Sequence, residues 1–320
     1  MSHTAATVPI VSSPGVRGLR HELLAYDDLV GYVSATSAFV REGLEAGESV
    51  LVVVPAPHLE ALAVALLGQT GDLRFIDVAT VGANPGRIID LWRTFLDSCD
   101  GRPARGVGEP VGSGGDSDQL AEWGRHERLL NLALADRPFR LLCPYDGSAV
   151  EPAVIADAET AHPFTHGADH PNQVYGADGL LSGLFDEPLT APPDDHASLA
   201  FGRHDLARLR RFVSEQAASA GLDEAAAGDL VLAADEIGAN CVIHGGGGGT
   251  VRCWPEDGRV ICQLESGGTF TDPLAGRVCP RPEAPGGRGL WLANQLCDLV
   301  QLRNTSEGNV VRLRSRRNPG

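Results

Sequence analysis

Three polar residues recur at intervals of four in the segment LVLAADEIGANCVIHG. Glu236, Asn240 and His244 would therefore project along one stripe of an α-helix. A carboxylate can orient or deprotonate a hydroxyl group, and an amide oxygen one turn later can hold a hard cation such as Mg²⁺. Phosphoryl transfer requires both of these functions. Polar stripes are also typical of solvated helix faces, so the stripe alone leaves both interpretations open.

Two glycine-rich segments follow the predicted helix. The segment ESGGTFTDP at 265–273 leaves a predicted strand through two glycines, and GGRGLW at 286–291 places three glycines before a predicted helix. Backbone amides at a helix start can surround phosphates, because the unpaired N–H groups and the helix dipole both favour an anion. Either cluster alone is more often a turn, but the polar stripe and both clusters in this order indicate a nucleotide site.

Residues 199–316 resemble the ATP-binding domain of the GHKL superfamily, in particular the serine-kinase anti-sigma factors. The resemblance is carried by ADEIGANCVIHG, ESGGTFTDP and GGRGLWLANQLCD. It implies a Bergerat-type site for the cofactors ATP and Mg²⁺, in which Asn240 coordinates Mg²⁺ and Glu236 is the general base. We interpret His244 as structural. The implied nucleotide contacts are Asn240, Glu265, Gly267, Gly287, Arg288, Gly289 and Leu290.

The first glycine segment departs from the family pattern Asp-x-Gly-x-Gly. Glu265, Gly267 and Thr269 occupy the three defined positions. In the family, the aspartate accepts a hydrogen bond from the adenine amino group; glutamate keeps the carboxylate but moves it by one methylene, which can cost about 1–3 kcal/mol. This leaves open an anti-sigma or scaffold protein whose nucleotide site is catalytically weak or lost.

The first part of the chain resembles the MEDS sensory domain. The resemblance covers about residues 18–166 and includes REGLEAGESVLVVV and LLCPYDG. It implies a three-layer α/β, RecA-like fold without a phosphate loop, and a sensory pocket for an unidentified ligand. All 26 basic residues are arginine, which excludes a Walker A lysine. The candidate pocket residues are His21, Tyr26, His126, Cys143 and Tyr145, each of which ordinary core packing would also explain.

Hydrophobic periodicity divides the chain in the same way. Helices and continuous apolar strands alternate up to about residue 145, which indicates a parallel sheet covered by helices. From residue 205, two helices, a hairpin, a helix and a second hairpin predict a two-layer α+β sandwich with helices on a mixed sheet. The predicted organisation is a flexible leader at 1–15, a sensory domain at 16–175, a linker at 176–198 and an ATPase domain at 199–316.

The net charge and the cysteine content disfavour several classes of function. The net charge is −16, and residues 1–199 carry the whole excess, which disfavours direct DNA or anionic membrane binding. The sequence shows neither a long apolar span nor a signal peptide, so a cytoplasmic protein is expected.

The seven cysteines are dispersed, which predicts mostly reduced, buried thiols. Cys253 and Cys262 are expected to face each other across an Asp-Gly hairpin.

Two histidine patterns are less informative. His162, His166 and His170 are spaced by four. Pro163 and Gly167 between them, and Pro171 after them, oppose a shared helix, which disfavours a metal site built from all three. His204 would be the candidate phosphoacceptor of a sensor histidine kinase, an alternative function on the same ATP-binding fold. A Pro/Gly linker stands where that class carries a dimerising helical hairpin.

The expected function is an anti-sigma regulator that binds ATP, sequesters a sigma factor and phosphorylates an anti-anti-sigma antagonist on serine. The N-terminal sensory domain would control the activity of this regulator. The resemblance also implies that the chain can form a homodimer. The ligand sensed, the sigma factor and the antagonist cannot be named from the sequence.

Overall fold

The computed structural model describes residues 18–81, 84–109, 116–177, 179–281, 283 and 286–317. The leader predicted at 1–15 lies outside these residues. The chain divides into two compact units: the first extends to Ser182, except for the segment 82–90, which belongs to the second unit with Gly183–Gly320. The second unit thus begins within the segment for which the sequence predicts a linker.

The first unit is built on a six-stranded sheet in which every neighbouring pair is parallel, as the apolar strands predict. The strand order is β3-β2-β4-β5-β1-β6. The strands are β1 (Leu19–Tyr26), β2 (Ser49–Val54), β3 (Leu73–Asp77), β4 (Ala104–Gly108), β5 (Phe139–Asp146) and β6 (Phe164–Thr165). The helices are α1 (Leu29–Glu45), α2 (Ala56–Ala65), α3 (Val78–Val81), α4 (Ile88–Ser98), α5 (Ser117–Ala133) and α6 (Pro152–Ala161).

Both faces of this sheet are covered. On one face, Phe39 of α1 and Leu62 of α2 share a core with Val52 and Leu142. On the other face, the Trp92 ring of α4 lies 5.5 Å from the Phe139 ring. Strands with two buried faces carry apolar residues at consecutive positions, which explains why β2 reads as the continuous run SVLVVV.

The second unit carries helices on a five-stranded sheet, with the order β10-β11-β9-β8-β7. The strands are β7 (Ala197–Gly202), β8 (Gly248–Glu256), β9 (Arg259–Ser266), β10 (Leu299–Thr305) and β11 (Gly308–Arg316), and the helices are α7 (Leu206–Ser219), α8 (Glu224–His244) and α9 (Arg288–Leu296). All neighbouring strands are antiparallel, so the prediction of a mixed sheet is wrong. The crossover through α9 places β10 at the sheet edge, and β11 separates it from β9.

One core fills the space between these helices and the sheet. Leu209 of α7 and Ile237 of α8 pack against alternate residues of the strands, including Val251, Cys262 and Leu264. In the β8–β9 hairpin, Cys253 is paired with Cys262, which confirms the predicted register, and both are free thiols. This alternation decides which residues at the strand ends face the helices.

The segment 84–90 contributes to the second unit at the end of α9. The Asn84 side-chain amide donates to the carbonyl oxygens of Asn294 and Cys297, at 3.1 and 3.2 Å. Arg87 Nε donates to the same Asn294 carbonyl at 2.7 Å. Carbonyls at the C-terminal end of a helix lack partners within that helix, so Asn84 and Arg87 act as its cap. The sequence pattern did not predict this role.

Candidate functional site

Helix α8 presents the predicted polar stripe beside its buried face. Its N-terminus is capped by Asp223, whose carboxylate accepts a hydrogen bond from Ala226 N at 2.8 Å. Ile237 and Cys241 are buried in the core, whereas Glu236 and Asn240 are half-buried. Glu236 and Asn240 are therefore only partly solvated, whereas His244 at the end of the stripe is exposed.

Helix α9 begins against this stripe. A Cβ atom placed on Gly289 would lie 3.0 Å from Asn240 Nδ2 and 3.0 Å from Glu236 Oε2. A glycine allows the backbone of α9 to approach the two polar groups this closely, whereas a Cβ would require both side chains to shift. The structure thus brings together Glu236, Asn240 and Gly289.

The residue before α9 has a left-handed backbone. Gly287 has φ +88° and provides no capping side chain for the helix N-terminus. The first N–H groups of α9 are therefore not satisfied by a side chain of that residue, which is the arrangement that favours an anion. Arg288, one of the implied nucleotide contacts, is exposed at this end.

A cavity of about 410 Å³ lies between α8, the end of β9 and the start of α9. Of the predicted site residues, Asn240, Gly287 and Leu290 line it; Glu236 and Gly289 lie beside its wall. His244, for which the sequence analysis expected a structural role, also lines it. The remaining lining residues are Ile237, Cys241, Gly245, Ser266, Gly268, Thr269, Phe270, Thr271, Asp272, Ala275, Asn309 and Val311.

The two glycines after β9 form a tight connection at the cavity mouth. Gly267 N donates to the Gly245 carbonyl at 3.0 Å, and the Asn309 side-chain amide donates to the Gly267 carbonyl at 2.9 Å. Gly268 has φ +91°, and a Cβ there would lie 3.0 Å from the His244 carbonyl oxygen. Gly267 therefore shapes the cavity through its backbone without lining it.

Glu265 does not belong to this cavity, contrary to its predicted contact with adenine. Its carboxylate pairs with Arg252 and accepts a hydrogen bond from Gln263 Nε2 at 2.6 Å. Because side chains alternate along a strand, Leu264 and Ser266 face the helices, and Glu265 faces the other side of the sheet. This geometry gives the predicted adenine contact of Glu265 no support, and the period-2 pattern of β9 is the signal that points to Ser266 as the residue facing the cavity.

The donor groups of the second unit fit Mg²⁺ and a polyphosphate. The Glu236 carboxylate and the Asn240 amide supply hard oxygen atoms, which Mg²⁺ prefers. The glycines at 268, 287 and 289 form a cradle that side chains would fill. Such a site can hold a metal-bound anion against helix α8 and can remove a proton from a nearby hydroxyl group.

The first unit contains a second cavity, of about 460 Å³. Two of the predicted pocket residues, Tyr26 and Tyr145, line it. The Tyr26 hydroxyl donates to Glu109 Oε1 at 3.0 Å, and His58 Nδ1 lies 2.8 Å from Glu109 Oε2. Burial and the Glu109 carboxylate raise the pKa of Tyr26, and the hydrogen bond to Glu109 raises the pKa of His58.

His21 and Cys143 do not line that cavity. They lie in a fully buried group with Glu127 and His162. Burial, together with His162, lowers the pKa of His21 to about 4, and burial raises the pKa of the Cys143 thiol well above its usual value.

His126 is also buried away from the cavity lining, with its ring edge-to-face to Trp123 at 5.3 Å. The predicted pocket therefore separates into cavity residues, a buried cluster and a core histidine.

The three histidines spaced by four do not converge. His162 is buried, His170 is exposed, and His166 Nδ1 lies 3.1 Å from Glu22 Oε2. Burial acts to raise the pKa of Glu22, but His166 and Arg140 lower it to about 2. His204, the candidate phosphoacceptor, is exposed in the turn between β7 and α7.

Comparison with known families assigns both halves of the chain. Residues 20–163 match the MEDS family, described as the methanogen/methylotroph, DcmR sensory domain. Residues 202–315 match the histidine kinase-like ATPase domain family. The chain thus contains a MEDS sensory domain followed by a histidine kinase-like ATPase domain. This confirms the MEDS resemblance and the ATPase part of the second resemblance, whereas its anti-sigma branch stays a prediction.

The comparisons with individual proteins are weaker. No curated protein matches the chain. Among the solved structures, the RsbU and RsbW domains of Rv1364c from Mycobacterium tuberculosis match with 20% sequence identity and a TM-score of 0.31. That match covers 40% of this chain and 34% of the other, so the chain spans about a third of its length.

Among the helices that the structure describes, none is both long enough and apolar enough to cross a membrane.

Proposed function

We propose that this protein is an ATP-dependent serine kinase and anti-sigma regulator controlled by its MEDS domain. The observation that carries the proposal is the approach of Gly289 to Glu236 and Asn240 at the edge of the 410 Å³ cavity. In this proposal, the second unit is a Bergerat-type ATP domain, and the first is a RecA-like fold without a phosphate loop.

The residues of α8 have separate roles. The Asn240 amide oxygen holds Mg²⁺, and the backbone amides at the start of α9 bind phosphate oxygens. When bound, ATP would supply the γ-phosphoryl group and leave as ADP, and Mg²⁺ would neutralise the charge on the phosphate oxygens. The Glu236 carboxylate orients the acceptor serine hydroxyl and accepts its proton, as a general base does.

The partners follow from the same proposal. The regulator sequesters a sigma factor, and serine phosphorylation inactivates the anti-anti-sigma antagonist that would release it. A ligand in the 460 Å³ cavity of the first unit controls this exchange. Homodimer formation belongs to the proposal and is tested by the mass of the purified chain in solution.

The test uses the full chain, radiolabelled ATP with Mg²⁺, and purified anti-anti-sigma antagonists from the source organism. We expect acid-stable phosphate on serine of one antagonist, its loss with Glu236→Gln, and weaker nucleotide binding with Asn240→Ala. Asp235→Asn is the matched control, because Asp235 precedes Glu236 on α8 but pairs with Arg210 at 3.0 Å. Absence of transfer to every antagonist would contradict the kinase assignment.

One observation favours a binding-only regulator as the second candidate. The inward-facing residue at the end of β9 is Ser266, and the carboxylate of the neighbouring Glu265 is bonded to Gln263 outside the cavity, so Glu265 is not placed to bind the adenine amino group. Retained sigma-factor binding without transfer would support this candidate. Acid-labile phosphate on His204 would instead support a histidine kinase.

A further inference from the structure

Four side chains that can bind metals converge inside the first unit. His21 lies on β1, Glu127 on α5 and Cys143 on β5, and His162 directly follows α6. All four are buried, with exposures of 0 to 3%. Their potential ligand atoms all lie within 4.8 Å of one another.

The distances within this group are short. His21 Nε2 lies 3.2 Å from Cys143 Sγ and 3.2 Å from Glu127 Oε2. His162 Nε2 lies 3.3 Å from the same Glu127 oxygen. The atoms that face one another are therefore two imidazole nitrogens, one carboxylate oxygen and one sulphur.

The hydrogen-bond network assigns the proton positions on His21. The Asn131 side-chain amide donates to the carbonyl oxygens of Glu127 and Ala161, at 3.2 and 2.7 Å. Asn131 Oδ1 must then be an acceptor, so the proton of neutral His21 lies on Nδ1, which is 3.2 Å from that oxygen. The Nε2 atom of His21 consequently presents a lone pair to the cluster.

His162 has the same arrangement. Its Nδ1 lies 2.7 Å from the Ala158 carbonyl, which can only accept a hydrogen bond. Nδ1 therefore carries the proton, and Nε2 presents its lone pair towards Glu127. Metal-ligating histidines are usually oriented in this way, by a hydrogen bond from the ring nitrogen that does not bind the metal.

The cluster has more acceptors than donors. Within the described part of the chain, Glu127 Oε2 and His162 Nε2 make no hydrogen bond, and the Cys143 thiol offers one proton at most. Buried acceptors that face one another without donors are costly, because each has lost its water and they repel one another. A cation between them removes this cost.

We propose that His21, Glu127, Cys143 and His162 bind a divalent transition metal ion, with Zn²⁺ as the preferred ion. Two imidazoles, a thiolate and a carboxylate form a ligand set that tetrahedral Zn²⁺ accepts. Zinc bonds of about 2.0–2.3 Å place tetrahedral ligand atoms about 3.3–3.7 Å apart, close to the separations of the contacting pairs.

The site adjoins the cavity of the sensory domain. Glu127 belongs to the cluster and also lines the 460 Å³ cavity. A metal ion bound here would lie next to the space in which a sensory ligand is expected. This inference does not depend on the kinase proposal, because every residue of the cluster lies in the first unit.

Cobalt substitution tests the proposal with the full chain. The protein is stripped with a chelator and titrated with Co²⁺, which reports coordination through its visible bands and through a thiolate charge-transfer band in the near ultraviolet. We expect one equivalent of Co²⁺ to bind and to produce both the visible bands and the charge-transfer band. We expect Zn²⁺ to displace it. Cys143→Ser should lose the charge-transfer band. Cys99→Ser should retain it, because Cys99 is a buried thiol outside the cluster whose Sγ lies 3.3 Å from the Phe95 carbonyl.

A thermal measurement covers the case in which Cys143→Ser does not fold. A metal ion that binds the folded state but not the unfolded state raises Tm, and the rise grows with the logarithm of its concentration above Kd. We expect Zn²⁺ to raise the Tm of the stripped wild-type chain and to leave that of His162→Gln unchanged. If neither Co²⁺ bands nor a Zn²⁺-dependent Tm appears in the wild-type chain, the proposal is overturned. It is equally overturned if the charge-transfer band survives in folded Cys143→Ser.

Discussion

Ser266 and Asn309 are paired across β9 and β11, and the Ser266 hydroxyl donates to Asn309 Oδ1 at 3.2 Å. Asn309 Nδ2 is already engaged with the Gly267 carbonyl, which makes Oδ1 the acceptor. The lone pairs of the Ser266 oxygen therefore remain available to the cavity that both residues line. Ser266, and not the neighbouring Glu265 of the sequence motif, therefore faces this cavity at the end of β9.

The first prediction distinguishes Ser266 from Glu265. Ser266→Ala should raise the Kd of ATP roughly 2- to 10-fold, because it removes one hydrogen-bond acceptor worth about 0.5–1.5 kcal/mol. Glu265→Gln, one residue away on the opposite face, should leave the Kd unchanged. Calorimetric titration of both variants with ATP and Mg²⁺ measures the difference, and the reverse order of effects would restore Glu265 to the site.

The second prediction concerns the close approach of α9 to α8. Gly289→Ala should weaken ATP binding at least several-fold, because the new methyl group would lie 3.0 Å from Asn240 Nδ2 and Glu236 Oε2 and displace them. Overpacking of this kind typically costs about 1–3 kcal/mol. Gly286→Ala is the matched control, since a Cβ there meets no atom within 4 Å. Equal affinities for the two variants would contradict a site at this position.

The third prediction is a pH dependence at the mouth of the first cavity. His58 has a raised pKa because its ring is hydrogen-bonded to Glu109. Its charged form is stabilised by folding, so this contribution is fully present below the unfolded value of about 6.5 and is lost as pH rises through the higher folded value. His58→Gln should therefore destabilise the protein more at pH 6 than at pH 9, by about 1 kcal/mol.

Denaturant unfolding at the two pH values measures this difference. His170→Gln, at an exposed histidine, is the control and should show the same small effect at both. If His58→Gln destabilised the protein more at pH 9 than at pH 6, the predicted direction of the pH dependence would be wrong.

The fourth prediction concerns the cysteines. Cys279 is exposed, and the other six thiols are buried. Burial raises the pKa of Cys143, Cys241 and Cys297, and Cys253 together with burial raises that of Cys262, which suppresses the reactive thiolate. Ellman's reagent should therefore modify one thiol rapidly in the folded chain and all seven after denaturation. Rapid loss of a single thiol in Cys279→Ser would contradict this assignment.

Much of the second unit could be predicted because the sequence patterns that specify its helices and turns extend over only a few residues. The helix spacing of apolar residues predicted α8 closely, and Asp257-Gly258 predicted the hairpin turn. Both turn residues have positive φ, +45° and +73°, as this two-residue turn requires. The turn sets the register of the two strands, which is why the sequence alone predicts that Cys253 lies opposite Cys262.

Other elements escaped prediction because their stabilisation is not local. β4 is only five residues long and contains two glycines, and β7 is an edge strand that borders a Gly/Pro-rich segment. Their strand conformation depends on hydrogen bonds to neighbours far away in the sequence. The capping of α9 by Asn84 has the same origin, since the Asn294 carbonyl that it satisfies lies in a distant part of the chain.

The sequence by itself determined the two fold classes, the helix that carries Glu236 and Asn240, and the glycine turns opposite it, because periodicity and motif spacing act over a few residues. Only the tertiary structure decided which side of β9 faces the cavity, since a shift of one residue exchanges the faces of a strand. It also decided that His21, Glu127, Cys143 and His162 meet, because four elements distant in sequence must pack before these ligand atoms can share one space.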